Sequence, residues 1–388
     1  MDRGVELELI DELRSLAATR SFFLDETVAQ SPVGQYLDET RFTREREAIM
    51  RRLPQAAAHV SELAGPGAFL RCDVHGLPVL LTRDRQGAAH AFLNVCRHRG
   101  ARLVEAASGC AHRFTCPYHG WTYANSGPLV GAPHFESGFG GIDKAGIGLK
   151  PLPVHEAFGF VWVAGDPGGG FDFDGYFAPL ADELDALGMA AMTIAAEDRM
   201  VCNANWKLLI EGGIESYHFR VAHRDTIAPY FEDNLSGYRA LGPHLRSVLP
   251  RTGMAALTET SRGGWRMRDH ANLVYTLFPT TQLLVQQDHV VWIRQEPLAP
   301  GRTSLRLATL APTGSEPGEG KGDDHWRRNH AITIKTLEED IRIGEGIHAG
   351  LASGANDHFL FGRFEGALDR FNQTVMEHLD TATTRKPA

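Results

Sequence analysis

The segment NVCRHRGARL (94–103), followed closely by TCPYHGWTYANSG (115–127), decides how this chain is read. The first segment carries Cys96-x-His98 and the second Cys116-x-x-His119. Each supplies one thiol and one imidazole. Gly100, Pro117 and Gly120 stand beside these donors and mark the segments as loops rather than regular elements.

Two loops that each give one Cys and one His fit a [2Fe–2S] centre of the Rieske type. There, two thiolates hold one iron and two imidazoles hold the other. Neutral imidazoles in place of thiolates lower the negative charge and raise the reduction potential. Structural zinc is the alternative for four such donors. Zinc sites usually pair Cys with Cys and His with His over short spacings, and neither pairing occurs among these four donors.

Around the loops, FLRCDVHGLPVLLTRDRQGAAHAFLNVC (69–96) alternates β-rich runs with turn signals at His75-Gly76 and Arg85-Gln86-Gly87. Short strands continue to HEAFGFVWVAG (155–165), so residues 67–165 read as a small all-β domain. The Gly-rich run 165–170 marks a boundary. Upstream, Val5, Leu9, Ile10, Leu13 and Leu16 predict an amphipathic helix over 5–18, and 43–52 a second, short helix. Downstream, 205–224 reads as helical, 270–311 as strand-rich and 325–351 as a long helix, which together suggest an α+β domain. The expected organisation is 1–42 helical segment, 43–165 cluster domain and 166–388 second domain. The polar run 313–324 reads as a surface loop and the tail TATTRKPA as disordered.

The 388 residues are 43% hydrophobic and 22% charged, values of a soluble globular chain, and the net charge of −9 argues against a nucleic-acid partner. Beyond the two cluster thiols, Cys72, Cys110 and Cys202 form no disulfide framework and read as small buried hydrophobes. With no signal peptide and no membrane-length apolar run, a cytoplasmic location is the expectation.

A second chemical signal lies in NWKLLIEGGIESYHFRVAHRDT (205–226), with Glu215, His218 and His223. Two imidazoles and one carboxylate make the facial triad of non-haem iron, which leaves positions open for oxygen. His218 and His223 are spaced i,i+5, so both reach one metal only where the helix distorts or ends. The best third ligand is Asp340 in TLEEDIRIGEGIHAGL (336–351), beside the buried side marked by Leu337, Ile341 and Ile347. The alternative is that Glu338, Glu339 and Asp340 together form a solvated helix face.

These motifs resemble those of the Rieske non-haem iron oxygenases, the catalytic α subunits of aromatic-ring hydroxylases and related demethylases. The resemblance also covers Asn205-Trp206-Lys207, Glu215-x-Tyr217-His218 and FGRFEGALDRF (361–371). It implies an N-terminal all-β Rieske domain followed by a helix-grip catalytic domain, in which an antiparallel sheet wraps a long helix. It carries ligation of a mononuclear Fe(II) onto His218, His223 and Asp340. It makes Glu215 a carboxylate bridge that receives electrons from His119 of a neighbouring subunit, and hence implies a head-to-tail homotrimer. Glu211 stands where the family often has Asn or Asp and reads as a hydrogen-bonding neighbour of the site.

The activity implied is that of a terminal oxygenase. O2 is used to hydroxylate or oxidatively demethylate or dealkylate a small aromatic or apolar organic substrate, with electrons from a separate NAD(P)H-dependent flavin reductase, through a ferredoxin or directly. No Gly-rich dinucleotide fingerprint follows a strand, in keeping with NAD(P)H and flavin residing on another protein. A non-catalytic Rieske electron carrier fused to a binding domain is the competing class. Ile227, Tyr230, Phe231, strands 273–292 and His358–Phe361 are the pocket candidates, which suit an apolar or aromatic substrate. Among Arg246, Arg251, Arg262, Arg266 and Arg268, one carboxylate clamp is conceivable, the rest reading as solvated.

Overall fold

His75 and Gly76 both take positive φ, +50° and +77°, which is what a two-residue turn between twisted antiparallel strands requires. They join Ala68–Val74 to Leu77–Arg83, and a second hairpin leads to Ala89–Leu93. Asp84 shapes that second turn by accepting the amides of Gln86 and Ala88, both at 2.9 Å. The computed structural model describes residues 1–313 and 322–384. It divides into a unit of Met50–Gly175 and a unit that joins Met1–Ile49 to Tyr176–Ala388.

The first unit is all-β. Five strands run in the order Pro151–Leu152, Ala89–Leu93, Leu77–Arg83, Ala68–Val74 and Ser108–Cys110. A three-stranded sheet, Val154–Ala157, Phe160–Ala164 and Pro54–His59, shares a core with them through Val74, Leu81, Val161 and Val163. A third sheet, Arg113–Thr115, Thr122–Ala124 and Leu129–Gly131, carries the second Cys–His loop. Phe69, Phe92, Phe114, Trp121 and Tyr123 pack around Cys96 and Cys116 in a separate aromatic core.

The second unit is built on a seven-stranded antiparallel sheet. Its order is Met192–Cys202, Arg302–Pro312, Val290–Ala299, Thr281–Val285, Ala271–Leu277, His244–Pro250 and Gly237–Leu241. Six strands form a consecutive meander, and the earliest, Met192–Cys202, closes the far edge. The long helix Asp323–Leu351 lays Ile334, Leu337 and Ile341 against Cys202, Leu209, Leu305 and Leu307. The α+β class, with an N-terminal Rieske β domain and a large antiparallel sheet with long helices, is therefore the observed one.

Asn205-Trp206-Lys207 begins the helix Trp206–Glu211 and secures it. Asn205 caps it by accepting the Lys207 amide at 3.0 Å, and donates to the carbonyls of Tyr36 and Pro300. Lys207 is fully buried and meets both oxygens of the equally buried Glu45 at 2.8 and 2.9 Å, while Trp206 Nε1 donates to the same carboxylate.

Several expectations need correction. The short helix starts earlier, at Glu39–Glu45, because Asp38 caps it, and continues as a wider turn through Met50. The segment 205–224 is two short helices, Trp206–Glu211 and Phe219–Ala222, parted at Gly212-Gly213. A side chain at Gly213 would crowd Gln282 Nε2 at 3.0 Å, and that amide donates to Ile210 O at 3.2 Å. Ile347 is 40% exposed and does not extend the buried stripe. Of the spare cysteines only Cys202 is buried, whereas Cys72 is half-buried and Cys110 exposed. Most of the 313–324 run and residues 385–388 of the tail lie outside the described residues, while 381–384 end the helix Gly366–Thr384. Among the described residues no helix is long and apolar enough to cross a membrane.

Candidate functional site

The two Cys–His loops are copies of one tight turn. In the first, Cys96 N donates to Ala101 O at 2.8 Å and Gly100 N to Cys96 O at 3.0 Å. In the second, Cys116 N donates to Trp121 O at 2.7 Å and Gly120 N to Cys116 O at 3.1 Å. Both glycines have positive φ, +79° and +69°, at the residue where the chain must reverse. The turns bury Cys96 and Cys116 and leave His98 and His119 half-exposed.

His98 and His119 face each other through Nδ1, 3.1 Å apart. Two nitrogens at that separation suit one metal with bonds of about 2.1 Å. His98 stacks on the buried Trp121, with ring centres 4.8 Å apart and planes 9° from parallel. Desolvation, the Arg99 cation and His98 all lower the His119 pKa, which favours the neutral imidazole a metal needs. Burial raises the Cys116 thiol and Cys96 adds to this, while the amides of Tyr118 and His119 donate to its sulfur and act the other way. Arg97 N donates to Tyr123 Oη at 3.0 Å, so the Tyr123 hydroxyl is directed at Cys96 Sγ, 3.4 Å away. Two sulfurs inside, two ring nitrogens outside and donors aimed at sulfur form a donor set that fits a [2Fe–2S] cluster.

In the second unit His218 and His223 flank the single turn Phe219–Ala222, one just before it and one just after. Their Nε2 atoms come to 3.1 Å. Asp340 Oδ1, from the long helix, lies 3.4 Å from the first and 2.9 Å from the second. Donors on one face of an octahedron with bonds of about 2.1 Å lie roughly 3 Å apart. The three therefore fit one face of an iron ion, and His218, His223 and Asp340 are the metal-capable cluster among the described residues. The spacing problem is solved by the helix ending at both histidines rather than by a distortion within it.

Each imidazole is held at its other nitrogen by a carboxylate. His218 Nδ1 donates to Glu215, which also accepts the Tyr217 amide. His223 Nδ1 donates to Glu339 at 2.7 Å, and Thr226 donates to the same oxygen at 2.6 Å. Burial opposes charge on His218, but Asp340 and Glu215 outweigh it and lift its pKa to about 10. At His223 burial is likewise outweighed by Asp340 and Glu339. Burial would raise the Asp340 carboxyl, yet the two imidazoles hold it below its ordinary value. This concentration of negative charge suits a divalent cation.

Glu339 is the residue that sequence reasoning missed. Three consecutive acids on a helix look like a solvated face, and only the folded chain shows the middle one reaching His223. Glu211 stays outside the triad. Its Oε1 accepts from Tyr36 Oη at 2.7 Å and Asn372 Nδ2 at 2.8 Å, and burial pushes its pKa up to about 7.

A cavity of about 480 Å³ opens on His223 and Asp340. Ile227, Tyr230 and Phe231 line it as expected, with Phe219 beside them, and Val274, Gln282 and Leu284 contribute from the strands. The 358–361 segment does not. Phe359, Leu360 and Phe361 line a smaller cavity of about 250 Å³ on the Glu211–Glu215–His218 side. Four of the five candidate arginines are engaged elsewhere; Arg266 is exposed, as expected of a solvated side chain, whereas Arg246 is buried and Arg262 and Arg268 are half-buried. Arg246 pairs with Glu183 and Arg262 with Asp11, while Arg266 and Arg268 bond to backbone carbonyls. Arg251 lines the large cavity.

Comparison with known proteins agrees with both centres. The Rieske [2Fe-2S] domain model matches residues 54–153, and the model for the ring hydroxylating alpha subunit (catalytic domain) matches 189–381. This chain belongs to the Rieske non-haem iron oxygenase α-subunit family. It is 28% identical over 389 residues to the glycine betaine monooxygenase oxygenase subunit of Chromohalobacter salexigens, covering 89% of this chain and 85% of that one. It is 27% identical over 333 residues to the carnitine monooxygenase oxygenase subunit of Escherichia coli K12, covering 83% and 84%. The crystal structure of the quaternary ammonium Rieske monooxygenase CntA with L-carnitine shares the fold. Its TM-score is 0.77 at 24% identity, over 90% of this chain and 96% of that one. The chain is thus the terminal oxygenase component of a Rieske system, with a [2Fe–2S] domain and a mononuclear iron site, and a carrier fused to a non-catalytic domain is set aside.

Proposed function

We propose that this oxygenase oxidises an N-methyl group of a small ammonium compound, releasing it as formaldehyde. The observation that carries this is the composition of the cavity at His223 and Asp340. Phe219 and Phe231 meet edge to face, with centres 5.4 Å apart, and Tyr230 lines the same space. Aromatic faces attract methylated ammonium groups. Asn272, Gln282, Thr333 and Arg251 make the remaining wall more polar than a plain hydrocarbon ring needs. The glycine betaine and carnitine monooxygenases among the relatives support the same class, in place of the aromatic or apolar substrate that the sequence suggested.

When bound, the iron and the cluster supply reductive activation of O2. The balance is one O2, two electrons and two protons per methyl group. One oxygen atom enters the C–H bond and the other leaves as water, and the hydroxymethyl group then departs from nitrogen as formaldehyde. His218, His223 and Asp340 hold the iron. Glu215 and Glu339 fix the tautomer of each imidazole so that Nε2 faces the metal. The aromatic wall places the methyl group and keeps water from the charged nitrogen.

A separate NAD(P)H-dependent reductase, directly or through a ferredoxin, supplies the electrons in this reading. Glu215, already bonded to His218, takes an imidazole N–H from His119 of a neighbouring copy in a homotrimer. Glu215→Gln then keeps cluster and iron contents but loses turnover, and normal turnover in that variant removes the bridge from the scheme. The function itself is tested by formaldehyde release from a panel of N-methylated compounds with a Rieske reductase. Stoichiometric formaldehyde and NAD(P)H consumption are expected, and no release from any of them overturns it.

A further inference from the structure

The geometry points to Arg251 as the anchor for a carboxylate on the substrate, so that the cavity takes an N-methylated amino acid rather than an N-methylated alcohol or amine. This inference rests on the N-demethylation reading for its reacting group and goes beyond it in naming what the other end of the substrate must carry.

Arg251 follows directly on the strand His244–Pro250 and its backbone is pinned. Its N–H donates to His270 O at 2.8 Å, and it bridges to Phe231 across the cavity wall. Asn272 Oδ1 accepts from both Nε and Nη2, at 3.2 and 2.6 Å. Those two bonds fix the guanidinium plane and use one of its two edges. The other edge, Nη1 with the second hydrogen of Nη2, has no hydrogen-bond or ion-pair partner among the described residues. The contrast with its neighbours is direct, since Arg246 and Arg262 each meet a carboxylate.

Arg251 is also half-buried, and burial pulls its pKa below the ordinary value; Asp288 and Asp269 act against this without forming an ion pair. A partly desolvated guanidinium with an unused planar edge is suited to two parallel bonds from a carboxylate. The same cavity holds Phe219, Phe231, His223 and Asp340, so one small molecule can meet this cation and the iron-binding face together.

The test uses holoenzyme with its reductase and three probes: glycine betaine, carnitine and choline, the last methylated alike but without the acid. Wild type should favour the acids in kcat/KM. Arg251→Gln should raise KM for the preferred acid by roughly 10–100-fold, with a much smaller change in kcat, and collapse the preference over choline. Arg251→Lys should recover part of the loss, and it decides the matter if the Gln variant fails to load iron. Equal losses on acid and alcohol, or no loss on either, overturn the assignment. If wild type releases no formaldehyde from any probe, the demethylation reading fails separately. Calorimetric binding of the two acids and of benzoate then judges Arg251. Affinity lost in the Gln variant upholds the anchor, and affinity that is absent or independent of Arg251 refutes it.

Discussion

Both centres bring two imidazole nitrogens to 3.1 Å, but the cluster pair meets through Nδ1 and the iron pair through Nε2. The cause lies at the opposite side of each ring. At the iron site, Glu215 and Glu339 take the Nδ1 hydrogens and leave Nε2 for the metal. In the cluster loops no carboxylate of the same chain plays that part among the described residues; Arg99 lies 3.0 Å from His119 Nε2, and His98 stacks on Trp121. One centre is therefore dressed with anions and suits a dication that must keep open positions. The other is dressed with amides, a hydroxyl and an aromatic face, none of them anionic, which suits a cluster whose neutral imidazole ligands lower its negative charge.

The coarsest way to break this contrast is to remove a ligand from each side. His223→Ala should leave about two irons and two sulfides per chain, against about three and two in the intact protein. Cys116→Ser should lose the visible absorption instead. Turnover in both should fall well beyond the 10–100-fold typical of an outer partner. Loss of both metals from either variant would show that the centres do not load independently.

A finer test compares carboxylates. Glu211 has only neutral donors, and its pKa rises from 4.5 to about 7. A carboxyl raised on folding stabilises fully below its unfolded value, and that stability is lost as pH climbs through the folded value. The wild type should thus lose about 3 kcal/mol from this group between pH 4 and pH 8. Glu211→Gln should flatten that slope, read as the difference in Tm between the two proteins across the range. Parallel curves would mean that Glu211 is ionised in the fold.

Glu339→Gln keeps the shape but weakens the hold on His223. Iron affinity should fall by about 10–100-fold with the cluster spectrum unchanged. The smallest effect belongs to Tyr123→Phe, which deletes the hydroxyl directed at Cys96. A hydrogen bond of about 1 kcal/mol corresponds to roughly 40 mV for a one-electron couple, so the cluster potential should drop by that order. An unchanged midpoint in protein-film voltammetry would remove Tyr123 from the cluster's surroundings.

The cluster loops were readable because all four donors lie within residues 96–119 and sit on turns with obligatory glycines. The triad was readable in part. His218 and His223 share a segment, and Asp340 borders an apolar stripe that the packing of Leu337 and Ile341 bears out. What stayed hidden depends on which face a residue presents after folding. Glu339 and Ile347 belong to one helix, yet the acid turned out to be engaged and the aliphatic side chain exposed. Likewise Arg246 and Arg251 are equal in a sequence, and only sheet register directs one to Glu183 and the other to the cavity.

The repeated turn around Cys96 and Cys116 has a consequence for how such proteins are recognised and built. Both copies close with the same two backbone bonds, yet one offers its imidazole from the third residue and the other from the fourth. Donor spacing is therefore a property of the side chain chosen on a common frame. Grafting His from the third to the fourth place of the first copy, Arg99→His with His98→Tyr, would make the frame internally symmetric. A search template written on the closing bonds and the reversing glycine would find both copies with a single query.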